Sequence, residues 1–565
     1  MSLMPESGLY PVQSTAVSVG KYLVKKLESI GVRHIFGVPG DYVLRFMDHI
    51  VESSMDLIGT CNELNAGYAA DAYARLNGVS ALCVTYGVGG LSLINALAGA
   101  YAEQVPVIAI SGAPKTSAEE NSLLMHHTTG DYNLQRSVLK NVTVAAVTLT
   151  ADDAIAQIDR AIAACLQYKR PVYIEIPADL VDHPCVLPLR KPSLSVLESK
   201  PEALEEAIAE AVELLENAQS PVILAGVELH RYGIQSQLDR LVEKTGYPVA
   251  TTMLGKSAIS EMHPQFIGNY VGALSRDEVR DRVENADCIL CLGAILSDTN
   301  LGGFTAELDP SKLINANLAR VQIKHHFYAP IHLGDFIEGL IEKLPYRPPE
   351  TLNIQPASSL HKDPWQVQDN APLTNARFYE RMNSFIGEND IVIAETGDAI
   401  IACIDLLIHQ NTKFIGQAFY MSIGYSLPAC LGAGLASPDN RVVLFIGDGS
   451  FQMTCQALST LIRNGIHPII FLINNDGYTI ERMIHDGPYN DIQPWKYHLM
   501  PQIFGQSWST EVRTEGELEL ALAETERHTD KLCFIEIHLD RFDCCDRLAH
   551  LTQTLQYSGL HGNKE

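Results

Sequence analysis

Positive charge is in short supply in this chain of 565 residues: 41 Lys and Arg stand against 67 Asp and Glu, a formal net charge of −26. A surface of that sign repels phosphate backbones and anionic lipid, which argues against nucleic acid or a membrane surface as partner. Cysteine is sparse too, twelve scattered residues. That is far below the density of a disulfide-stapled secreted scaffold and fits reduced thiols in the cytoplasm. The lone CxxC, Cys288 and Cys291, has no second pair at zinc-ribbon spacing and sits in an apolar run, so a buried strand is expected there. The opening Met1-Ser2-Leu3-Met4-Pro5-Glu6 lacks the basic flank and apolar run of a signal peptide. Unbroken hydrophobic spans are missing as well. Ala81 to Ala102 and Phe414 to Pro438 carry no charge, but Gly87, Gly89 and Gly90 interrupt the first, and Gly424 and Pro428 the second. Each reads as a strand or loop turning into a buried helix, not as a membrane span.

What is present is ordinary globular material, 46% hydrophobic and 19% charged, in a chain long enough for three or four cores. Helical and strand patterns alternate throughout, the signature of α/β architecture. Strands are predicted at His34 to Val38, Ala81 to Thr85, Val105 to Ser111 and Pro171 to Ile176. Further strands follow at Pro221 to Ala225, Ala286 to Leu292, Ile391 to Ala394, Val442 to Ile446, Pro468 to Ile473 and Cys533 to Ile537. Pro-rich stretches at Leu187 to Pro201 and from Pro345 to Pro364 divide the chain into three doubly wound parallel-sheet domains, residues 1–187, 200–345 and 365–565. The first and third have a comparable pattern. Ligands of such sheets sit beyond the carboxyl ends of strands.

The familiar nucleotide signatures fail letter by letter. Gly255-Lys256-Ser257 lacks the first P-loop glycine, and neither Gly87-x-Gly89 nor Gly447-x-Gly449 is followed by the third dinucleotide glycine. There remains Gly447-Asp448-Gly449-Ser450 directly after an apolar strand, and Asn474-Asn475-Asp476-Gly477 at the end of another. Glycines let backbone amides approach a phosphate. A carboxylate (Asp448), an amide oxygen (Asn475) and a backbone carbonyl (Gly477) are hard ligands suited to Mg²⁺. The pair describes a diphosphate held through magnesium.

With these two elements the chain resembles the thiamine diphosphate enzymes and, more narrowly, the 2-keto acid decarboxylases. The likeness extends to Phe36-Gly37-Val38-Pro39-Gly40-Asp41, Asn62-Glu63-Leu64-Asn65-Ala66, His126-His127 and Tyr478-Thr479-Ile480-Glu481. The resemblance implies non-oxidative decarboxylation of a small 2-keto acid to an aldehyde and CO₂, with the cofactor as electron sink. It assigns Glu63, which by itself reads as a helix-opening dipole partner, to the pyrimidine N1′ of the cofactor. It assigns Asp41, His126, His127 and Glu481 to the remaining proton transfers. Thr396, Gly397 and Asp398 fall near the diphosphate, Met421 and Ile423 near the pyrimidine, and Gly449, Ser450, Tyr478, Thr479 and Ile480 on the cofactor. Met421 stands where relatives commonly carry glycine. The family shares each site between subunits, so a homodimer is the minimum and a homotetramer the common form. The second double histidine, His325-His326, is expected to be solvated or structural.

Strict pyruvate enzymes narrow the substrate pocket with aromatic residues at positions aligned with Thr299, Ile400 or Ile401, and Leu551. With Leu555 these are aliphatic or small here, while Ile480, next to Glu481, still limits the pocket on one side. Larger aliphatic, branched or aromatic 2-keto acids are therefore expected over pyruvate. No Cys lies between Cys185 and Cys288, where regulated yeast-type relatives carry an activating thiol, so hyperbolic kinetics are expected. The competing readings are a carboligating enzyme related to acetolactate synthase and a non-catalytic scaffold. The former generally lacks the paired histidines and often binds FAD, so a colourless protein counts against it. The latter conflicts with the presence of all five proton-handling residues.

Overall fold

The computed structural model describes residues 17–185, 198–349 and 365–557, with positions 351 and 354 between the last two segments. Met1 to Glu6 and most of the two Pro-rich stretches lie outside them. After β1 (Val17–Ser18), the first sheet collects β2 (His34–Gly37), β3 (Asp56–Gly59), β4 (Ser80–Val84), β5 (Val107–Ala113), β6 (Ala145–Thr148) and β7 (Val172–Pro177). Its order is β3-β2-β4-β5-β7-β6 with every pairing parallel, and β8 (Pro184–Cys185) returns antiparallel to β1. Every residue of β4, β5 and β7 is buried, as a parallel sheet covered by helices on both faces requires.

The second sheet contains β9 (Pro221–Ala225), β10 (Val249–Thr251), β11 (Phe266–Asn269), β12 (Cys288–Leu292), β13 (Leu313–Asn317), β14 (Arg320–Ile323) and β15 (His326–Tyr328), in the order β11-β10-β9-β12-β13-β14-β15. It departs from the wholly parallel expectation, because β13-β14 and β14-β15 pair antiparallel. Only Leu318 and Ala319 separate β13 from β14. A parallel crossover needs a dozen residues or more, so two permit only a hairpin. In β12, Cys288 and Cys291 are both buried, and they belong to different apolar clusters on its two faces. Residues three apart on a strand point oppositely, so this pair is core and cannot chelate one ion.

The third sheet, β16 (Asp390–Ala394), β17 (Lys413–Ile415), β18 (Arg441–Gly447), β19 (Ile469–Asn474), β20 (Ser507–Val512) and β21 (Leu532–His538), is parallel throughout. Its order, β17-β16-β18-β19-β21-β20, repeats that of the first sheet strand for strand. In each, the chain leaves two neighbouring strands (β2 and β4, or β16 and β18) toward opposite edges. The loops that follow diverge and leave a crevice at the carboxyl ends.

The first and third units are locked together by the helices Glu63–Asn77 and Ser426–Ala436. A Cβ at Gly432 would lie 1.9 Å from the Ala69 carbonyl oxygen, so only glycine allows that approach. Tyr425 donates to Asp71 at 2.6 Å, and buried Arg75 bridges Asp71 and Glu103 at 2.6 and 2.7 Å. The charge-free stretch from Phe414 thus resolves into β17, a loop and a buried helix. Among the described residues no helix is long and apolar enough to cross a membrane.

Candidate active site

The loops after β16, β17, β18 and β19 enclose a cavity of about 430 Å³. All the cofactor residues expected in this unit line it: Thr396, Gly397, Asp398, Met421, Ile423, Gly447, Asp448, Gly449, Ser450, Asn475, Gly477, Tyr478, Thr479 and Ile480. Glu481 completes the wall, with Ala399 and Ile473 besides.

Asp448 follows β18 directly, as the first residue of the next helix, with its carboxylate buried. It accepts from the backbone N–H of Gly449 at 2.7 Å and of Gly477 at 3.1 Å, and no cation pairs with it among the described residues. Burial pushes its pKa up to about 7. Gly477 is held at φ +126°, where a Cβ would meet the Asn490 carbonyl oxygen at 2.2 Å. Arg482, also buried, donates to the carbonyls of Asp476 and Asn490 and pairs with Asp491, fastening this loop to the next. The donor set of carboxylate, amide oxygen and peptide carbonyl fits a hard divalent cation. Gly397 and Gly447 leave the space beside their backbones open, where any side chain would intrude. The residues present therefore fit a metal-held diphosphate.

Two features at this cavity, one behind its wall and one on it, escaped the sequence reading. Glu395, buried at the end of β16, accepts from the N–H groups of Thr396, Gly424 and Ser426 and from the Ser426 hydroxyl, tying two cofactor loops together. Its burial pushes its pKa up to about 7. A carboxylate directly after an apolar strand was the available signal. Met421 sits at φ +58°, the left-handed region that a glycine occupies without strain and that costs other residues about 1–2 kcal/mol. The Asp398 carboxylate is turned to the Cys545 N–H and the Asn375 amide, so it anchors the C-terminal segment while its backbone lines the cavity.

A second cluster stands at the carboxyl ends of β2, β4 and β5. His126 Nε2 lies 2.6 Å from Asp41 Oδ2, and the His126 and His127 rings meet edge to face at 4.8 Å. Tyr42 stacks on His126 at 4.7 Å and donates to its carbonyl at 3.2 Å. Under this cluster runs a buried chain that the sequence reading also missed. The Gly87 N–H donates to Gln135, whose amide reaches Ser111 and Tyr173, and Tyr173 donates to Glu175. The signal was a carboxylate inside the apolar β7. Gly87 adopts φ +66°, and a Cβ there would lie 2.0 Å from the His127 carbonyl oxygen. Gly87→Ala is accordingly expected to cost roughly 2–4 kcal/mol of stability and to displace the paired histidines, read as a lower unfolding midpoint together with lost activity.

Glu63 is the first residue of its helix, half-buried, and makes no hydrogen bond or ion pair among the described residues. Neither it nor the Asp41-His126-His127 cluster lines the cavity of its own chain. Of the substrate-pocket candidates, Ile480 lies on the cavity wall, whereas Ile400, Ile401 and Leu551 pack with it in one apolar cluster beside the cavity. Thr299 sits half-buried in a middle-unit loop, bonded to Ser297, and the Leu555 side chain lies outside the described residues. His326, exposed, lies 2.9 Å from the Glu210 carboxylate at the surface.

Comparison with known proteins agrees with this geometry. Residues 17–136 match the family described as thiamine pyrophosphate enzyme, N-terminal TPP binding domain, residues 208–344 its central domain, and residues 396–537 its C-terminal TPP binding domain. An alpha-keto-acid decarboxylase of Mycolicibacterium paratuberculosis is 38% identical over 96% of this chain and 98% of its own. A pyruvate decarboxylase of Aspergillus fumigatus is 38% identical over 93% and 95%, and pyruvate decarboxylase isozyme 2 of Saccharomyces cerevisiae 37% over 95% and 98%. Three successive domain matches and full-length relatives lead to one conclusion: the chain belongs to the thiamine diphosphate-dependent 2-keto acid decarboxylase family.

Proposed function

We propose that this enzyme converts 2-keto acids to the aldehyde one carbon shorter and CO₂, with thiamine diphosphate held through Mg²⁺, and that it favours side chains larger than that of pyruvate. The buried Asp448 carboxylate, short of a cation on the wall of a glycine-lined cavity, carries the reading. Asp448, Asn475 and the Gly477 carbonyl would hold the metal, and Gly397, Gly449 and Ser450 the diphosphate. Met421 and Ile423 would set the height of the pyrimidine. Bound thiamine diphosphate supplies the nucleophilic carbon and the electron sink. Glu63 would keep a proton at N1′. Asp41, His126, His127 and Glu481 would deliver the proton that replaces the departing carboxylate.

The proposal includes a homodimer at least, and a homotetramer by the family's habit, with Glu63 and the histidine cluster of one chain closing over the cavity of another. Supporting it, exposed apolar residues flank both half-sites: Val88 (55% exposed) and Leu124 (82%) near the histidines, and Met453 (48%) beyond Ser450.

Substrate preference rests on the aliphatic Ile400, Ile401 and Leu551, while Ile480 limits the pocket on one side. Each methylene buried is worth about 0.8 kcal/mol, so six- to eight-carbon keto acids are expected to exceed pyruvate in kcat/KM by about tenfold or more. A panel assayed with and without thiamine diphosphate and Mg²⁺ tests both parts. Aldehyde that does not depend on the cofactor would overturn the reaction, and a preference for pyruvate would overturn the enlarged pocket.

A further inference from the structure

We propose that the cavity where the three α/β units meet binds a small multivalent oxyanion, of the phosphate monoester class. This cavity, about 390 Å³, shares no lining residue with the cofactor cavity. In a chain of net charge −26 its walls are basic: Arg75 and Lys169 come from the first unit, His230 and Arg231 from the middle one, and Lys413 from the third.

Two of these are already spoken for. Arg75 is neutralised by Asp71 and Glu103. His230 accepts from the Gln235 amide at Nδ1 and donates from Nε2 to the Lys256 carbonyl, a pattern that only the neutral ring satisfies, and burial lowers its pKa to about 4. The remaining three, Lys169, Arg231 and Lys413, have no carboxylate within ion-pair distance among the described residues. Arg231 spends its Nε on the Glu103 carbonyl at 3.2 Å, while its Nη2 is buried without an acceptor. Burial, and then the nearby Arg75, lower the Arg231 pKa to about 10, and burial lowers that of Lys169. Three like charges around one space, those of Lys169 and Arg231 partly buried, repel one another until an anion enters.

The chemistry of the donors selects that anion. A guanidinium offers paired N–H groups, and two ammonium groups offer point charges. A monocarboxylate leaves most of that charge unanswered, whereas a phosphate ester brings close to two negative charges and three acceptor oxygens. The cavity also exceeds a bare phosphate in size, leaving room for an organic group. Lys413 opens β17, and the loop after that strand runs through Gln417 to Met421. Gln417 accepts from the Thr396 hydroxyl and the Ser422 N–H, so an occupant at the junction braces the segment that carries cofactor residues.

The test uses the enzyme saturated with thiamine diphosphate and Mg²⁺, so that the diphosphate site is filled. Thermal unfolding is followed in inorganic phosphate and in a hexose phosphate, each against sodium chloride of equal ionic strength, for the wild type and for Lys169→Gln/Lys413→Gln. Among the described residues neither ammonium makes a hydrogen bond, and Lys169 only lies 5.7 Å over the Tyr232 ring, so the double variant is expected to fold and, without anion, to melt close to the wild type. The expected result is a saturable rise in the wild-type midpoint beyond that of chloride, with a half-saturating concentration at least tenfold higher in the variant. A lower half-saturation for the hexose phosphate than for inorganic phosphate makes the occupant an organic ester, and equal values make it free phosphate. The same rise in both proteins, or none beyond chloride in the wild type, overturns the site.

Discussion

Glu63→Gln is expected to lower aldehyde formation by about a thousandfold, within the span of a lost general acid or base, and to cost less than about 1 kcal/mol of stability. The small stability cost follows from the geometry of the helix start. Asn62 is the cap, accepting from Asn65 N–H at 2.8 Å, so the Glu63 carboxylate is left only its interaction with the helix dipole. That carboxylate is half-buried, has no partner among the described residues, and lies where a Cβ on Gly89 would come within 3.3 Å of it. A group so kept is available to something outside its own chain. Co-expression makes the point quantitative. If the sites are shared as proposed, Glu63→Gln and Asp448→Asn chains, each expected to be inactive alone, are expected to form mixed dimers in which one of two sites is intact, so that random pairing restores about a quarter of wild-type activity. Two inactive variants whose mixture stays inactive would confine the site to one chain.

The second large effect lies at Asp448. Without metal, its carboxyl keeps a proton in the folded protein up to about pH 7, against an ordinary value of 3.8 in the unfolded chain. Between those values the folded state binds more protons, so the stability of the metal-free protein falls as pH rises through that window. The loss is complete above pH 7 and of order 4 kcal/mol. A divalent cation reverses it, and its binding weakens as pH falls below 7 because the proton competes. Metal-free Asp448→Asn has no such drop. It is expected to unfold at a higher temperature than the metal-free wild type at pH 8, with the difference shrinking toward pH 5 and no response to Mg²⁺ and thiamine diphosphate. A wild type that gains stability over the variant from pH 5 to pH 8 would contradict this.

Much of the fold was legible because parallel strands buried on both faces are runs of apolar, often β-branched residues, as at Pro221 to Ala225. Strands that are only half-buried, such as β6, or of mixed burial, such as β13, and three-residue ones such as β10 carry too little pattern to be seen without their neighbours. The antiparallel edge of the middle sheet was hidden because a hairpin of two residues is decided by chain geometry, and Leu318-Ala319 carries no glycine or asparagine to announce it.

The sequence by itself determined the chemistry on offer: which residues follow which strands, and so which carboxylates, histidines and glycines can stand at a crevice. That information is local, since a strand and the loop after it are written consecutively. Only the tertiary structure decided who meets whom. It joined Asp41 to His126 across 85 positions, set Gln135 and Glu175 beneath the histidines, left the Glu63 carboxylate without a partner among the described residues, and gathered cations from three units around one space. Those contacts depend on strand order and helix packing, which no single stretch of sequence encodes.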